Sequence, residues 1–318
     1  MSKKLQDKVN LIVICGPTAS GKTELSLRLA EIFDGEIIGA DSMQIYRGMD
    51  IVTAMPTKPE RERVRHRLID FLEPSESFSV ADYVKLAKEA ISEVVSNGKM
   101  PILCGGTGLY INSLIDGISL DETRENQQFR EKMLLLAKEY GNEFLHKKLE
   151  KVDPKRAKEL HPNNVKRVIR ALEIYEFSGR SMTESNILSR NTPSIYNSCI
   201  IGLDFENRQD LYDRINKRVD IMFEQGLLQE AKKFFAMNNT TTSAQAIGYK
   251  ELFPYIKGEQ PLEECVEKLK QRTRNYAKRQ LTWFRRDERV NWYKIKKNEP
   301  FQNIVNFSEK TIAFYFKT

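Results

Sequence analysis

Residues 16–23 read GPTASGKT, and this stretch decides the fold. It fits the pattern GxxxxGK[ST] at every fixed position. It follows the apolar run LIVIC at 11–15 and opens a helical pattern over 22–33. A strand, a glycine loop and a helix in this order distinguish a P-loop from a chance match. We therefore predict a phosphate-binding loop at the start of an α/β fold with a parallel sheet.

The predicted loop is suited to hold a chain of phosphates. Backbone N–H groups in such a loop, together with the partial positive charge of a helix N-terminus, attract phosphate oxygens. Lys22 can reach the distal phosphate, and the hydroxyl of Thr23 can help to hold Mg²⁺. The motif leaves open what is attached to the phosphates. The phosphate-contacting residues are expected to be Gly16, Pro17, Thr18, Ala19, Ser20, Gly21, Lys22 and Thr23.

Strand and helix patterns alternate along the first part of the chain, which indicates a P-loop NTPase-like α/β core. The predicted strands after LIVIC are 35–42, 67–74 and 101–106, with a helix over 80–95 before the last of them.

Three segments are expected from the change in pattern near residue 118. Residues 1–120 form the first part of the core, and residues 198–318 complete it with a strand and basic helices. Between them, residues 121–197 show charged amphipathic helices and no convincing strand, so we predict an inserted all-helical domain. Within it, the polar stretch 180–194 is interpreted as a linker or loop.

Composition narrows the class of protein and its partners. No stretch approaches the roughly 20 apolar residues that span a bilayer. The four cysteines are far apart in sequence, as free thiols in a reducing compartment are, so we expect a cytoplasmic protein that is not bound to a membrane. The chain is expected to be a monomer. A net charge of +7 favours an anionic partner such as nucleic acid, though only modestly.

Two polar side chains follow predicted strands at the same sheet edge as the P-loop. Asp41 begins DSMQIYRGMDI, and Thr107 lies in GGTGLY. Because ligands of such sheets bind at the carboxyl ends of the strands, both should lie near the phosphates. Asp41 then holds Mg²⁺ through water or acts as a general base, or else it caps the following turn. The glycine turn around Thr107 either admits a ligand or is only a tight turn.

Two long predicted helices, 206–226 and 261–286, carry basic residues beside an apolar stripe. In the first, Arg214 and Arg218 are i,i+4 neighbours. A single basic run is typical of a solvated helix face. Several such runs on a basic protein with a P-loop favour a nucleic-acid backbone as partner. The second helix carries Arg272, Arg274, Lys278, Arg279, Arg285 and Arg286.

These motifs in this order resemble the tRNA dimethylallyltransferases, also called tRNA isopentenyltransferases. The combination of DSMQIYRGMDI, GGTGLY, HPNNVKRVIRALEIY and YAKRQLTWFRR is specific to that family, whereas the P-loop alone is not. The matching stretches run from residue 16 to 286. The resemblance is to the bacterial type, which lacks the zinc finger of eukaryotic members. Val52 and Met55, in IVTAMPT, depart from the family's IGTAKPT, so no site role is assigned there.

The resemblance implies transfer of a dimethylallyl group from dimethylallyl diphosphate to the exocyclic amine of an adenosine in tRNA. That adenosine follows the anticodon on its 3′ side, and diphosphate is released. The P-loop then holds the prenyl diphosphate with Mg²⁺, and no ATP is consumed. By the family pattern, Asp41 takes the proton of the amine, Thr107 orients the reacting groups and Arg218 contacts the diphosphate.

The resemblance also implies where the anticodon stem-loop binds, with the helical insertion gripping the stem. The residues expected to contact tRNA are Asp41, Ser42, Met43, Gln44, Arg130, Lys166, Arg167, Val168, Ile169, Arg170, Gln245, Gly248, Lys250, Arg274, Lys278, Arg279, Gln280, Trp283 and Arg285.

Two other functions share some of these features. A small-molecule kinase has the same loop and core, but it gives no role to a basic helical insertion. A non-enzymatic RNA-binding protein switched by a nucleotide would bind tRNA without changing it. Consumption of ATP and covalent change of the RNA separate these alternatives from a transferase.

Overall fold

The computed structural model describes residues 8–117, 126–189, 193–237 and 242–317, and these form two compact units. The core unit combines Met1–Ile115 with Ile195–Thr318, and the helical unit is Asp116–Ser194. The expected boundary between residues 120 and 121 lies outside the described residues. In the part of the chain that the structure describes, no helix is both long and apolar enough to cross a membrane.

The core unit is built on a six-stranded sheet in which every described pairing is parallel, so the predicted α/β class is confirmed. The strand order is β3-β2-β4-β1-β5-β6. In the centre, Ile12 pairs with Ile102 on one side and with Cys199 on the other. The strands are β1 (Val9–Cys15), β2 (Gly35–Gly39), β3 (His66–Arg67), β4 (Met100–Gly105), β5 (Tyr196–Phe205) and β6 (Val290–Ile295).

Helices cover the sheet of the core unit and make up the helical unit, where α6 to α10 lie. They are α1 (Lys22–Ile32), α2 (Asp50–Thr53), α3 (Lys58–Arg63), α4 (Val80–Ser96), α5 (Gly108–Ile115), α6 (Gln127–Tyr140), α7 (Asn142–Val152), α8 (Pro154–Glu159), α9 (Val165–Ser178), α10 (Met182–Ser189), α11 (Arg208–Glu224), α12 (Leu227–Ala236), α13 (Tyr249–Ile256), α14 (Leu262–Phe284) and α15 (Phe301–Phe316).

Two apolar clusters hold the core unit together. The larger one joins the strands to the inner faces of α1, α11, α14 and α15, with fully buried residues such as Ile14, Leu27 and Ile312. A second cluster packs α12, α13 and α14 against residues 45–52 and is centred on Tyr249, which stacks on a neighbouring phenylalanine. Burial of these apolar faces stabilises the core unit.

The helical unit has its own apolar core and one buried charge. Val168 and Ile169 on α9 pack against residues of α6 and α7, such as Met133 and Leu149. Gly179 ends α9 in a left-handed conformation, with φ of 69°.

Glu173 on α9 is completely buried inside this unit. Its carboxylate accepts two hydrogen bonds from Arg130, at 2.9 and 2.8 Å, and one from Arg170 at 2.6 Å. The backbone N–H of Asn126 donates a fourth, at 2.8 Å. Burial by itself raises the pKa of Glu173, but these hydrogen bonds outweigh it and hold the pKa below its usual value.

The prediction of a strand over 67–74 was wrong, because only His66–Arg67 pair with β2. Leu68 and Asp70 take left-handed φ values of 58° and 54°, and such residues cannot continue a strand. Further along the segment, Leu72 forms an isolated parallel β-bridge with Tyr46.

The prediction of a linker or loop over 180–194 was also wrong, because it contains α10; residues 190–192 lie outside the described residues. The N–H of Ser181 donates to the carboxylate of Glu184 at 2.8 Å, and the N–H of Glu184 donates back to the Ser181 hydroxyl at 3.1 Å. This is a capping box, S-x-x-E, which starts a helix. Sequence reasoning also missed β6 and α15.

We predict that Glu173→Gln lowers the free energy of unfolding of the helical unit by about 1–3 kcal/mol, because both arginines lose their buried counter-charge. The low pKa means that this stabilisation is present at neutral pH and is lost as the pH falls through the folded-state pKa. Native-state hydrogen exchange of peptides from 126–189 measures it. Glu176→Gln, at an exposed position on the same helix, should leave exchange unchanged. Equal protection in both variants would contradict the prediction.

Candidate active site

The loops that follow β1, β2 and β4 meet at one edge of the sheet, as expected for the carboxyl ends of parallel strands. The N–H of Thr107 donates to the carbonyl of Ala40 at 3.0 Å, and the N–H of Ser42 donates to the Thr107 hydroxyl at 3.0 Å. The P-loop lies beside them across a cavity of about 360 Å³, a volume suited to a small ligand. Residues of the P-loop and Asp41 line this cavity, whereas Thr107 does not line it and instead contacts the lining residues Ser42 and Tyr276.

Polar and apolar residues both line the cavity. We call the part formed by Thr18, Lys22, Thr23 and Arg218 its polar end. On α11, the apolar lining residues Ile215, Val219 and Met222 lie on both sides of Arg218 along the helix. The apolar part is lined by Val52, Val219, Met222, Leu227 and Leu269.

Lys22 and Arg218 are two half-buried cations that both line the cavity. The ammonium of Lys22 donates to the carbonyl of Pro17 at 2.7 Å, and the Arg218 guanidinium donates to the hydroxyl of Thr18 at 3.3 Å. Burial lowers the pKa of Lys22 to about 8, and the charge of Arg218 adds to the lowering. Burial likewise lowers the pKa of Arg218. An anion bound between them would offset the desolvation of both cations and raise both pKa values again.

One carboxylate oxygen of Asp41 caps the turn that follows it, which is one of the roles expected from the sequence. Its Oδ1 accepts the N–H of Met43 at 2.9 Å, which fixes the carboxylate beside the cavity. Within the described ranges no protein group donates to Oδ2, so this oxygen can meet a substrate. The turn role and the base role are therefore compatible, because they use different atoms.

Tyr276 is a site residue that sequence reasoning missed. Its place on α14 predicted a core position, yet it lines the cavity. Burial raises its pKa strongly, and the charge of Asp41 adds to that, while hydrogen bonds with Thr107 and Gln280 oppose it. The hydroxyl therefore stays protonated and can donate a hydrogen bond next to Asp41. No local signal marks it, because an aromatic residue at this helical spacing is typical of a core position.

Gln280 connects the two glycine loops through its side-chain amide. Its oxygen accepts the N–H of Thr18 at 2.9 Å, and its nitrogen donates to the carbonyl of Gly106 at 3.0 Å. A Cβ at Gly106 would lie 2.1 Å from that nitrogen, so only glycine admits this approach. Gln280 is 5% exposed, and its amide is used inside the protein. The structure gives Gln280 a positioning role between the two loops, and its contact with tRNA stays a prediction.

The other predicted contacts on α14 differ in their availability. Arg279 and Lys278 are exposed, and Arg279 also lines the cavity with its guanidinium over the Tyr276 ring. Trp283 is 40% exposed and donates to Asn112 at 2.8 Å. Arg274 donates to Asn216 at 2.6 Å, and Arg285 pairs with Asp204 at 2.7 Å, although its side chain remains half exposed.

The predicted contacts on the loops line the cavity or lie beside it. Ser42, Met43 and Gln44 line it, and the Gln44 amide donates to the carbonyls of Thr53 and Ala54. Gln245 and Gly248 line it as well, and Lys250 is exposed and donates to Gln245 at 2.6 Å.

In the helical unit, Lys166 and Arg167 are exposed on α9. Val168 and Ile169 are buried, at 0% and 3% exposure, so the prediction that their side chains contact tRNA was wrong. The prediction took in both residues because they lie in a stretch that contacts tRNA in the resembling family. The helical period instead places their side chains in the core of the unit. Arg130 and Arg170 lie on the buried carboxylate of Glu173, and this pairing orders them within the unit.

A divalent cation is compatible with the polar end. The Thr23 hydroxyl and the Asp41 carboxylate line the same cavity, and both supply oxygen, which Mg²⁺ prefers. No group of three or more His, Cys, Asp or Glu side chains gathers in the described part of the chain. Mg²⁺ is typically held by one or two protein oxygens together with substrate phosphates, so the residues present fit that ion.

Comparisons with known proteins agree on one family. The profile described as IPP transferase matches residues 44–287. The tRNA dimethylallyltransferase of Acetivibrio thermocellus is 48% identical over 311 residues, covering 97% of this chain and 98% of that protein. The crystal structure of a tRNA isopentenylpyrophosphate transferase from Bacillus halodurans has 45% identity and a TM-score of 0.72, covering 98% and 99% of the two chains. A eukaryotic dimethylallyltransferase acting on tRNA has 31% identity and a TM-score of 0.81, covering 96% and 78%.

We predict that the affinity for an alkyl diphosphate falls about tenfold per pH unit above pH 8. The pKa of Lys22 is lowered to about 8, so at higher pH the anion must bind together with a proton. Equilibrium binding between pH 7 and 9.5 measures the slope. Lys22→Arg keeps a charged side chain and should remove the slope, whatever its affinity. A wild-type affinity that does not change over this range would show that Lys22 stays charged without a ligand.

Proposed function

The chain belongs to the IPP transferase family, and we infer from this and from its site that it is a tRNA dimethylallyltransferase. It transfers a dimethylallyl group from dimethylallyl diphosphate to the exocyclic amine of the adenosine that follows the anticodon on its 3′ side. The observation that carries the mechanism is one cavity lined by the two cations Lys22 and Arg218 and by the carboxylate of Asp41.

The residue roles are part of this proposal. The diphosphate occupies the polar end, where Lys22, Arg218 and the P-loop N–H groups neutralise its charge. The bond between the allylic carbon and the diphosphate oxygen breaks more easily as that charge is neutralised. Each half-buried cation regains a partner when the anion binds, which supports the polar end as the diphosphate site.

The exocyclic amine of adenine is a poor nucleophile because its lone pair is delocalised into the ring. In the proposed step, the amine nitrogen forms a bond to the allylic carbon, the carbon–oxygen bond breaks, and the amine proton passes to Asp41. Met43 holds Oδ1 of Asp41, so Oδ2 receives the proton. Tyr276 lines the cavity and can orient the adenine or the leaving oxygen, and Thr107 supports it through a hydrogen bond.

Mg²⁺ is the proposed cofactor, held by Thr23 and the phosphates. When bound, it supplies further positive charge against the leaving diphosphate. The fit of oxygen ligands at the polar end supports this assignment, and the protein residues that orient the reacting groups do not depend on it.

The anticodon stem-loop is the proposed RNA partner. Exposed Lys166 and Arg167 on the helical unit, and exposed Lys278 and Arg279 on the core unit, supply charge for a phosphate backbone. The adenine must leave its stack to reach a cavity inside the protein, as in other enzymes that modify a base.

The decisive experiment supplies unmodified tRNA and Mg²⁺ to the purified protein. Labelled dimethylallyl diphosphate goes to one sample and γ-labelled ATP to another. We expect label from the prenyl donor in a single anticodon-loop adenosine and no consumption of ATP. ATP turnover without prenyl transfer would return the protein to the kinases, and tight RNA binding with neither reaction would favour a binding protein.

We predict that Asp41→Asn lowers the rate of transfer by at least about 10²-fold, because an amide cannot accept the amine proton. The Kd values for tRNA and for the donor should change little, since Asn still accepts the Met43 N–H. Single-turnover transfer and equilibrium binding test the two parts separately. Asp34→Asn is the matched control at an exposed aspartate at the opposite end of β2. Wild-type turnover in Asp41→Asn would disprove the base assignment.

A further inference from the structure

Glu230 on α12 makes three hydrogen bonds that join separate parts of the core unit. Its two oxygens accept the N–H groups of Ile51 and Val52, each at 2.9 Å. One of them also accepts the hydroxyl of Tyr249 at 3.0 Å. Glu230 itself does not line the cavity among the described residues. These contacts are defined here as the Glu230 clamp.

The two segments that the clamp joins form one wall of the cavity. Val52, Thr53 and Ala54 line it from α2, and residues 245–248 line it just before Tyr249. The segments also touch directly, since a Cβ at Gly248 would lie 2.4 Å from a methyl carbon of Val52. The φ of Gly248 is +124°, a conformation that side chains rarely adopt. The wall is therefore close-packed and has a defined geometry.

This wall is connected to Asp41. The Gln44 amide donates to the carbonyls of Thr53 and Ala54, at 3.1 and 3.2 Å, so the wall continues into the segment that begins at Asp41. Gln44, Gln245 and Gly248 line the cavity here, and all three are among the residues predicted to contact tRNA. A group that contacts this wall therefore reaches the segment that carries Asp41.

We propose that Glu230 is a positioning residue for the RNA substrate, which it serves by fixing the wall against which the adenine and its neighbouring nucleotides fit. This rests on the proposed function, because the wall is assigned to RNA by the predicted tRNA contacts Gln44, Gln245 and Gly248 that belong to it. A carboxylate suits the task, since two oxygens can hold two successive N–H groups and a hydroxyl at once. The clamp acts on orientation and does not enter the bond-making step.

The test uses two clamp variants of the full chain. Glu230→Gln keeps the size of the side chain but turns an NH₂ group toward one of the two backbone N–H groups. Tyr249→Phe removes only the hydroxyl and keeps the buried ring, so it should fold normally. Glu224→Gln, at an exposed glutamate of α11, is the matched control for the change of charge.

We expect Glu230→Gln to lower kcat/KM for tRNA about tenfold or more, because small displacements of a positioned substrate cost rate. Tyr249→Phe should lower it less, and Glu224→Gln should not change it. The Kd for the prenyl diphosphate should be unchanged in all three. Amide hydrogen exchange at residues 51 and 52 should rise in Glu230→Gln.

Two results would overturn the clamp. One is a kcat/KM for tRNA that stays at the wild-type value in both clamp variants. The other is a donor Kd that rises as much as kcat/KM for tRNA falls, since that would indicate a general packing role. Filter binding of tRNA without donor is measured in parallel, and unchanged RNA affinity in Glu230→Gln together with unchanged kcat/KM refutes the clamp. A wild-type protein that labels no RNA refutes the transferase assignment instead.

Discussion

Two partly desolvated cations at the end of a parallel sheet are the constraint on which the site depends. Desolvation disfavours the charge of both Lys22 and Arg218, and a neighbouring arginine adds to that cost, Arg218 for Lys22 and Arg214 for Arg218. The negative charge of Asp41 offsets part of the cost, and the Pro17 carbonyl and the Thr18 hydroxyl each accept a hydrogen bond from one of the two cations. The electrostatic free energy of these two cations is unfavourable in the free protein and becomes favourable when an oligophosphate binds. The site is thus prepared for an anion before one arrives.

Three described carboxylates, Glu173, Asp204 and Glu230, have structural roles, whereas Asp41 can take part in the reaction. Glu173, Asp204 and Glu230 each accept several hydrogen bonds or ion pairs from arginine, lysine, tyrosine or backbone groups. Both oxygens of each of these three carboxylates are held by protein donors, which fixes them in structural roles. Asp41 is held through one oxygen only, beside the cavity. The difference lies in the number of donors around each carboxylate, and the type of residue does not reveal it.

Features determined by residues close together in the sequence could be predicted, and features determined by contacts between distant segments could not. The P-loop strand and helix α1 were predictable, because a local motif determines them. The strand proposed after residue 67 failed at Leu68 and Asp70, where long-range packing imposes left-handed backbone. The capping box at Ser181 was readable and was overlooked. The cavity position of Tyr276 and the bridge made by Gln280 arise from contacts between distant segments, and no local pattern predicts such contacts.

The insertion of the helical unit between β4 and β5 has a consequence for how the chain matures. Val9 of β1 pairs with Tyr196 of β5, so the central strand of the sheet is completed by a segment that the ribosome makes much later. Until then β1 has one unpaired edge, although β4 can already cover the other. Unpaired edges of this kind attract other chains. During synthesis the protein is therefore exposed to aggregation at LIVIC itself, the strand from which the phosphate loop begins.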